Sequence, residues 1–137
     1  MVYHFEELGI AFVGDTLFAL GCGRLFEGTP SQMLKSLDII KKWPDDTKLF
    51  CAHEYTQANA EFAVTVDSNN QDLLERKRVI EKLRKNNQPT VPTTVALEKK
   101  TNPFLRANNS DIKAQLGMAQ SSDVETFAEI RKRKDNF

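Results

Sequence analysis

The hydrophobic pattern of the chain changes character near residue 56, and that change limits the folds open to it. Before it, short apolar runs of strand length alternate with turn residues. Val2 to Phe5 and Ile10 to Val13 are two such runs, split by Glu6, Glu7 and Gly9 in a way that suits a hairpin, and Gly14-Asp15 ends the second. Lys48 to Cys51 is a third run, with His53 just past its end. Between the second and third lies a helix signature. Thr29 can cap, Pro30 suits the first helical position and Gln32 completes a capping box; Met33, Leu37 and Ile40 mark one face before Trp43-Pro44 stops the helix.

After Thr56 the period turns helical, and no further strand is expected. Gln57 to Val66 and Gln71 to Asn86 read as helices, the second with Leu73, Ile80 and Leu83 on a common face and its dense charge on a solvated one. Gln88 to Pro92 reads as an extended connector, because each proline biases its predecessor away from helix. Ser122 to Glu125 is a second capping box, opening a last helix that runs to about Lys134. The expected layout is therefore α/β over residues 1–56 and helical over residues 57–137.

With 137 residues the chain can bury one modest core, and a second full domain is not expected. Lys and Arg total 19 and so do Asp and Glu, so no net field recruits nucleic acid and any electrostatic recognition must be local. Cys22 and Cys51 form no metal-spaced cluster and are too few for a secreted disulfide scaffold, which points to a reducing, cytoplasmic setting. The opening residues lack the pattern of a secretory leader, and no apolar run is long enough to span a bilayer, so neither targeting nor a membrane is expected.

Three short motifs carry the chemistry: Gly14-Asp15-Thr16-Leu17-Phe18, then Gly21-Cys22-Gly23-Arg24-Leu25-Phe26-Glu27-Gly28, then Cys51-Ala52-His53-Glu54-Tyr55-Thr56. Asp15 and His53 both lie just beyond the carboxyl ends of expected strands, where α/β sheets place ligand chemistry. Taken singly, neither demands a metal. A strand-end aspartate commonly forms a turn or caps a helix, and a lone histidine is commonly a hydrogen-bonded structural residue. The basic run Arg131 to Lys134 can equally serve only to complement a helix dipole, an effect of about 0.3–1 kcal/mol. Cys22 has no evident partner base, and His4 sits inside a strand run.

In their order and spacing, these motifs resemble the second half of glyoxalase II, in the metallo-β-lactamase superfamily. The resemblance runs from about Val2 to Phe137 and includes Asn102-Pro103-Phe104-Leu105-Arg106 and Arg131-Lys132-Arg133-Lys134-Asp135. It implies the C-terminal half of an αββα sandwich followed by a helical cap that binds glutathione. It also implies hydrolysis of an S-(2-hydroxyacyl)glutathione, such as S-lactoylglutathione, to glutathione and a 2-hydroxy acid. Asp15 would bridge two metal ions and hold the attacking water, and His53 would ligate one ion. Zinc is the expected metal, with iron or manganese as alternatives. Such ions would lie about 3.5–4 Å apart, which should bring Asp15 and His53 within about 5–6 Å of each other. Arg24, Phe26, Tyr55, Asn59, Arg131 and Lys134 would meet glutathione. The family frequently carries lysine and tyrosine where this chain has Arg24 and Phe26, so Phe26 is expected to contribute packing only.

The resemblance also implies an upstream segment with a THxHxDH motif and a GH histidine, which supply most of the family's metal ligands and which this chain does not contain. The metal set is thus expected to be incomplete and the lone chain inactive. An apolar sheet face should stand uncovered, available to an N-terminal half or to self-association. Two other readings stay open: a non-catalytic glutathione-binding or interaction domain, and a sulfur dioxygenase of the same superfamily.

Overall fold

The computed structural model describes residues 1–25 and 28–137. Strand β1 (Tyr3–Phe5) leads through a single 3-10 turn (Glu6–Leu8) into β2 (Ile10–Gly14). Gly9 ends that turn at φ +63°, a left-handed conformation that lets the chain reverse without a Cβ clash. A tight hairpin, β3 (Leu17–Phe18) and β4 (Gly21–Cys22), is followed by helix α1 (Pro30–Lys41) and then β5 (Lys48–Cys51). Thereafter come α2 (Thr56–Val66), α3 (Gln71–Lys85), β6 (Thr93–Thr94), α4 (Val95–Thr101), a 3-10 turn (Pro103–Leu105), α5 (Ser110–Gln115) and α6 (Asp123–Asp135). The molecule is mixed α/β, as expected.

Both capping boxes form: Thr29 with Gln32 at α1 and Ser122 with Glu125 at α6. The main sheet runs β1-β2-β5-β6, with β1 antiparallel to β2, β2 parallel to β5, and β5 antiparallel to β6. Helix α1 makes the crossover that the parallel pair requires. The short β6 departs from the all-helical expectation after Thr56. Two threonines are too brief a run to show alternation, and they pair only because the connector from α3 returns along β5.

Strand alternation divides the sheet. Ala11, Val13 and Leu49 point inward and are fully buried, packed with Leu37, Ile40, Phe62, Phe104, Phe127 and Ile130 in one core that draws on both sides of residue 56. Tyr3, Phe12 and Phe50 share a row on the opposite face, where Phe12 stacks on Phe50 at 5.3 Å and meets Phe5 edge-on at 6.1 Å. Tyr3, Phe5 and Phe12 are each exposed there, so one sheet face is aromatic and uncovered. His4 turns the other way and stacks on Trp43 at 4.0 Å, a packing role.

The solvated face expected for the charges of α3 needs one correction. Arg76 is 7% exposed and forms an ion pair with Glu98 of α4, which is wholly buried. Arg76 also donates to Thr101 and Thr93, and Thr93 donates to Glu98. A buried charge at that depth is tolerable only when its partners are complete, and here they are. Among the described residues no helix is long and apolar enough to cross a membrane.

Candidate active site

β2 and β5 lie side by side and run in the same direction, with Gly14 opposite Cys51 after a local irregularity in register. Ala52 N–H donates to the Gly14 carbonyl at 3.0 Å, so the two strand ends stay tied as they leave the sheet. The next side chains out are Asp15 and His53. Their nearest atoms, Asp15 Oδ1 and His53 Nε2, are 3.4 Å apart, and both side chains are well exposed.

Two ligands each about 2.1 Å from a tetrahedral ion stand roughly 3.4 Å apart, so this pair has the spacing of one edge of a zinc polyhedron. One carboxylate and one imidazole are also the right donor types for zinc, iron or manganese. The set falls short in number: among the described residues, no group of three or more His, Cys, Asp or Glu side chains is placed to hold an ion. A catalytic zinc ordinarily has three protein ligands.

His53 is oriented by aromatic neighbours. Its ring stacks on Tyr55 at 4.7 Å, and Phe18 packs against both, 6.0 Å from His53 and 5.1 Å from Tyr55. Glu54, between them in sequence, turns away and accepts from the Thr90 backbone N–H at 2.6 Å and from the Thr90 hydroxyl. Partial burial raises the Glu54 pKa, but the Thr90 and Thr56 hydrogen bonds and the nearby Arg84 outweigh it and hold the carboxyl below its ordinary range. Glu54 thus anchors the Tyr55 turn to the connector after α3.

These residues open onto a cleft of about 500 Å³ whose lining includes Asp15, His53, Tyr55, Asn59, Arg24, Arg131 and Lys134. All the sequence-predicted site residues share this one cleft except Phe26, which lies outside the described residues. They differ in how far their polar groups are committed. Asn59 is 5% exposed and its amide donates to the Ala19 carbonyl at 3.1 Å. Arg131 is 6% exposed and reaches the Cys22 carbonyl at 2.7 Å and Asp135 at 2.8 Å. Arg24 is open to solvent and, among the described residues, has a 3.8 Å contact to Asp135. Lys134 is half-buried, 5.9 Å above the Phe62 ring, and has no carboxylate at ion-pair distance among the described residues. Burial, then the charges of Arg131 and Arg24, lower its pKa against the opposing pull of Asp135. A cation held beside two others in a partly desolvated cleft gains from an incoming anion.

Cys22 is buried, which pushes its thiol up to about 12 in spite of Arg131 and disfavours the nucleophilic thiolate. Sequence reasoning missed the groups that hold the β3–β4 hairpin, which forms one wall of the cleft. Leu20 sits at φ +63° with its N–H donating to Glu98 Oε1 at 2.8 Å, and Asn102 donates to the Gly21 carbonyl at 3.0 Å. The Asn102-Pro103-Phe104 signature was visible, but nothing in linear order ties it to residues 18–21.

Residues 54–137 match the family described as "Hydroxyacylglutathione hydrolase C-terminus". Curated proteins called hydroxyacylglutathione hydrolase are 57% identical in Maricaulis maris, 57% in Rhizobium meliloti and 54% in Bartonella henselae, each over 98% of this chain. The alignment takes in 53% of each relative, so the chain spans about half the length of the curated relatives it matches. The match over residues 54–137 takes in more than half of the chain, which therefore belongs to the hydroxyacylglutathione hydrolase C-terminal family.

Proposed function

We propose that this chain forms the glutathione-binding part, and one edge of the metal site, of a hydrolase that cleaves S-(2-hydroxyacyl)glutathione thiolesters. The observation that carries the reading is the shared cleft: an Asp–His pair at metal-ligand spacing, and basic residues suited to an anionic tripeptide, open onto one space. The family membership and the names of the relatives support the substrate class. Glutathione carries two carboxylates, and on this reading Lys134 and Arg24 meet them while Tyr55 and Asn59 line the thiol-proximal wall.

Asp15 and His53 would hold the metal, which lowers the pKa of a bound water and polarises the acyl oxygen when present. The chain's own residues supply orientation. Phe18 and Tyr55 fix the His53 ring, and the strand-end tie between Ala52 and Gly14 fixes its distance from Asp15. Two ligands cannot hold two dications, so on this reading the remaining donors come from a segment equivalent to the other half of the relatives, and that segment covers the aromatic sheet face. The metal edge then falls within residues 1–56, and residues 57–137 form the helical part that meets glutathione together with Arg24 and Tyr55. Both cysteines are free thiols, which suits a reducing cytoplasm.

The test is a titration of the isotope-labelled chain with S-methylglutathione, followed by amide chemical shifts. Saturable shifts at Arg24, Tyr55 and Lys134 that weaken with added salt are expected. Shifts scattered over the aromatic sheet face, or none up to tens of millimolar ligand, would contradict the reading.

A further inference from the structure

The β3–β4 hairpin is too short to fix its own shape. Its strands have two residues each, Leu17–Phe18 and Gly21–Cys22, joined by Ala19 and Leu20, and even longer isolated hairpins are marginal in water. Its turn is also strained. Leu20 is left-handed at φ +63°, a conformation for which a two-residue loop ordinarily uses glycine or asparagine.

That conformation is imposed by a buried cluster at the end of α4. Glu98 Oε1 accepts from the Leu20 N–H at 2.8 Å and from the Asn102 amide at 3.0 Å. The Asn102 amide also donates to the Gly21 carbonyl at 3.0 Å and the Phe18 carbonyl at 3.3 Å, while its oxygen accepts from the Phe104 N–H at 2.9 Å. Both residues are wholly buried, and Arg76 and Thr93 hold the second Glu98 oxygen. A backbone outlier persists only where its surroundings over-determine it, and such outliers gather at functional sites.

What the turn delivers is Phe18. Its ring is 8% exposed and packs 6.0 Å from His53 and 5.1 Å from Tyr55, whose own rings stack at 4.7 Å. The carbonyl that Asn102 holds belongs to the same residue whose ring backs the imidazole. Movement of the turn therefore removes the support of a histidine that is otherwise well exposed.

We propose that Asn102 and Glu98 are positioning residues for His53: they hold the strained turn at Leu20 and so keep Phe18 against the imidazole. The use of that orientation in hydrolysis rests on the metal reading above; the orientation itself does not.

The chain has two histidines, and His4, stacked on Trp43, serves as an internal reference. In proton NMR spectra of the 137-residue chain at one fixed pH, the His53 ring signals should lie upfield, because the imidazole stacks on Tyr55. Asn102→Ala should remove most of that displacement and leave the His4 signals in place. Phe18→Leu leaves the clamp intact and should have the same effect, which keeps the proposal testable if Asn102→Ala does not fold. Thr101→Val is the control: Thr101 is as deeply buried, but its hydroxyl bonds to Arg76 and Leu97 instead of the hairpin, so both histidines should stay put. An unmoved His53 in Asn102→Ala or Phe18→Leu, a His4 that moves with it, or the same displacement in Thr101→Val would overturn the positioning role. A His53 signal in the unmodified chain that is indifferent to excess zinc would count against the metal reading and leave the positioning result standing.

Discussion

Gly23 and Asp15 touch through their backbones so closely that no side chain fits between them: the Asp15 carbonyl oxygen occupies the place of a Gly23 Cβ. Asp15 therefore has its loop position set by a residue on a different strand end. Gly23→Ala should push residues 15–16 away from residues 22–23, costing about 1–3 kcal/mol in urea unfolding, as overpacking does. Amide shifts should move most at Asp15, Thr16 and His53. A variant of unchanged stability with unmoved Asp15 and His53 signals would mean the contact is not what positions the pair.

The Arg76–Glu98 pair supports the same wall from beneath. Glu98 accepts from Leu20 N–H and Asn102 with one oxygen and from Arg76 and Thr93 with the other. Glu98→Ala should cost about 3–5 kcal/mol, since it strands a buried guanidinium and a buried backbone N–H together. The double variant Arg76→Met/Glu98→Leu should recover only part of that loss, because Leu20 N–H stays unpaired. Full recovery in denaturant titrations would show the ion pair to be dispensable to the hairpin.

How far these relationships could be read in linear order varied with the range of the contact. The capping boxes at Thr29 and Ser122, the strand runs around Val13 and Leu49, and the outward Asp15 and His53 were legible because each depends on residues a few places apart. Arg76 was not. On α3 it sits in a run of charges, and only the return of α4 beneath it makes it a core residue. Likewise the basic run near the C-terminus looked uniform, yet Arg131 is enclosed by Cys22, Asp135 and Phe104 while Lys134 faces the cleft. Periodicity gives a face, not the partner that meets it. The two-residue β6 had no pattern to read, since Thr93 and Thr94 pair through the path of a connector.

Cys22 makes stability depend on alkaline pH. Its thiol titrates near 9.0 when unfolded and is pushed up to about 12 by burial in the fold, so the folded state retains a proton that the unfolded state gives up. That stabilisation is complete below pH 9 and is lost as pH rises toward 12. The urea midpoint should fall across this window, and Cys22→Ala should flatten that fall while lowering the midpoint at neutral pH. At pH 8, alkylation should reach the half-buried Cys51 before Cys22, although burial raises the Cys51 thiol as well. Mass mapping that found Cys22 modified first would contradict the burial argument.

On the proposed reading, Asp15 and His53 belong to a metal set that other residues complete. The direct measurement is zinc and iron content beside S-lactoylglutathione hydrolysis, for the 137-residue chain alone and for the chain joined behind the portion of the Maricaulis maris relative that it does not match. The lone chain should bind metal weakly and show no turnover. The joined protein should hold metal and hydrolyse the thiolester, and Asp15→Ala or His53→Ala should remove both properties. Stoichiometric metal with turnover from the lone chain, or a joined protein indifferent to both substitutions, would contradict it.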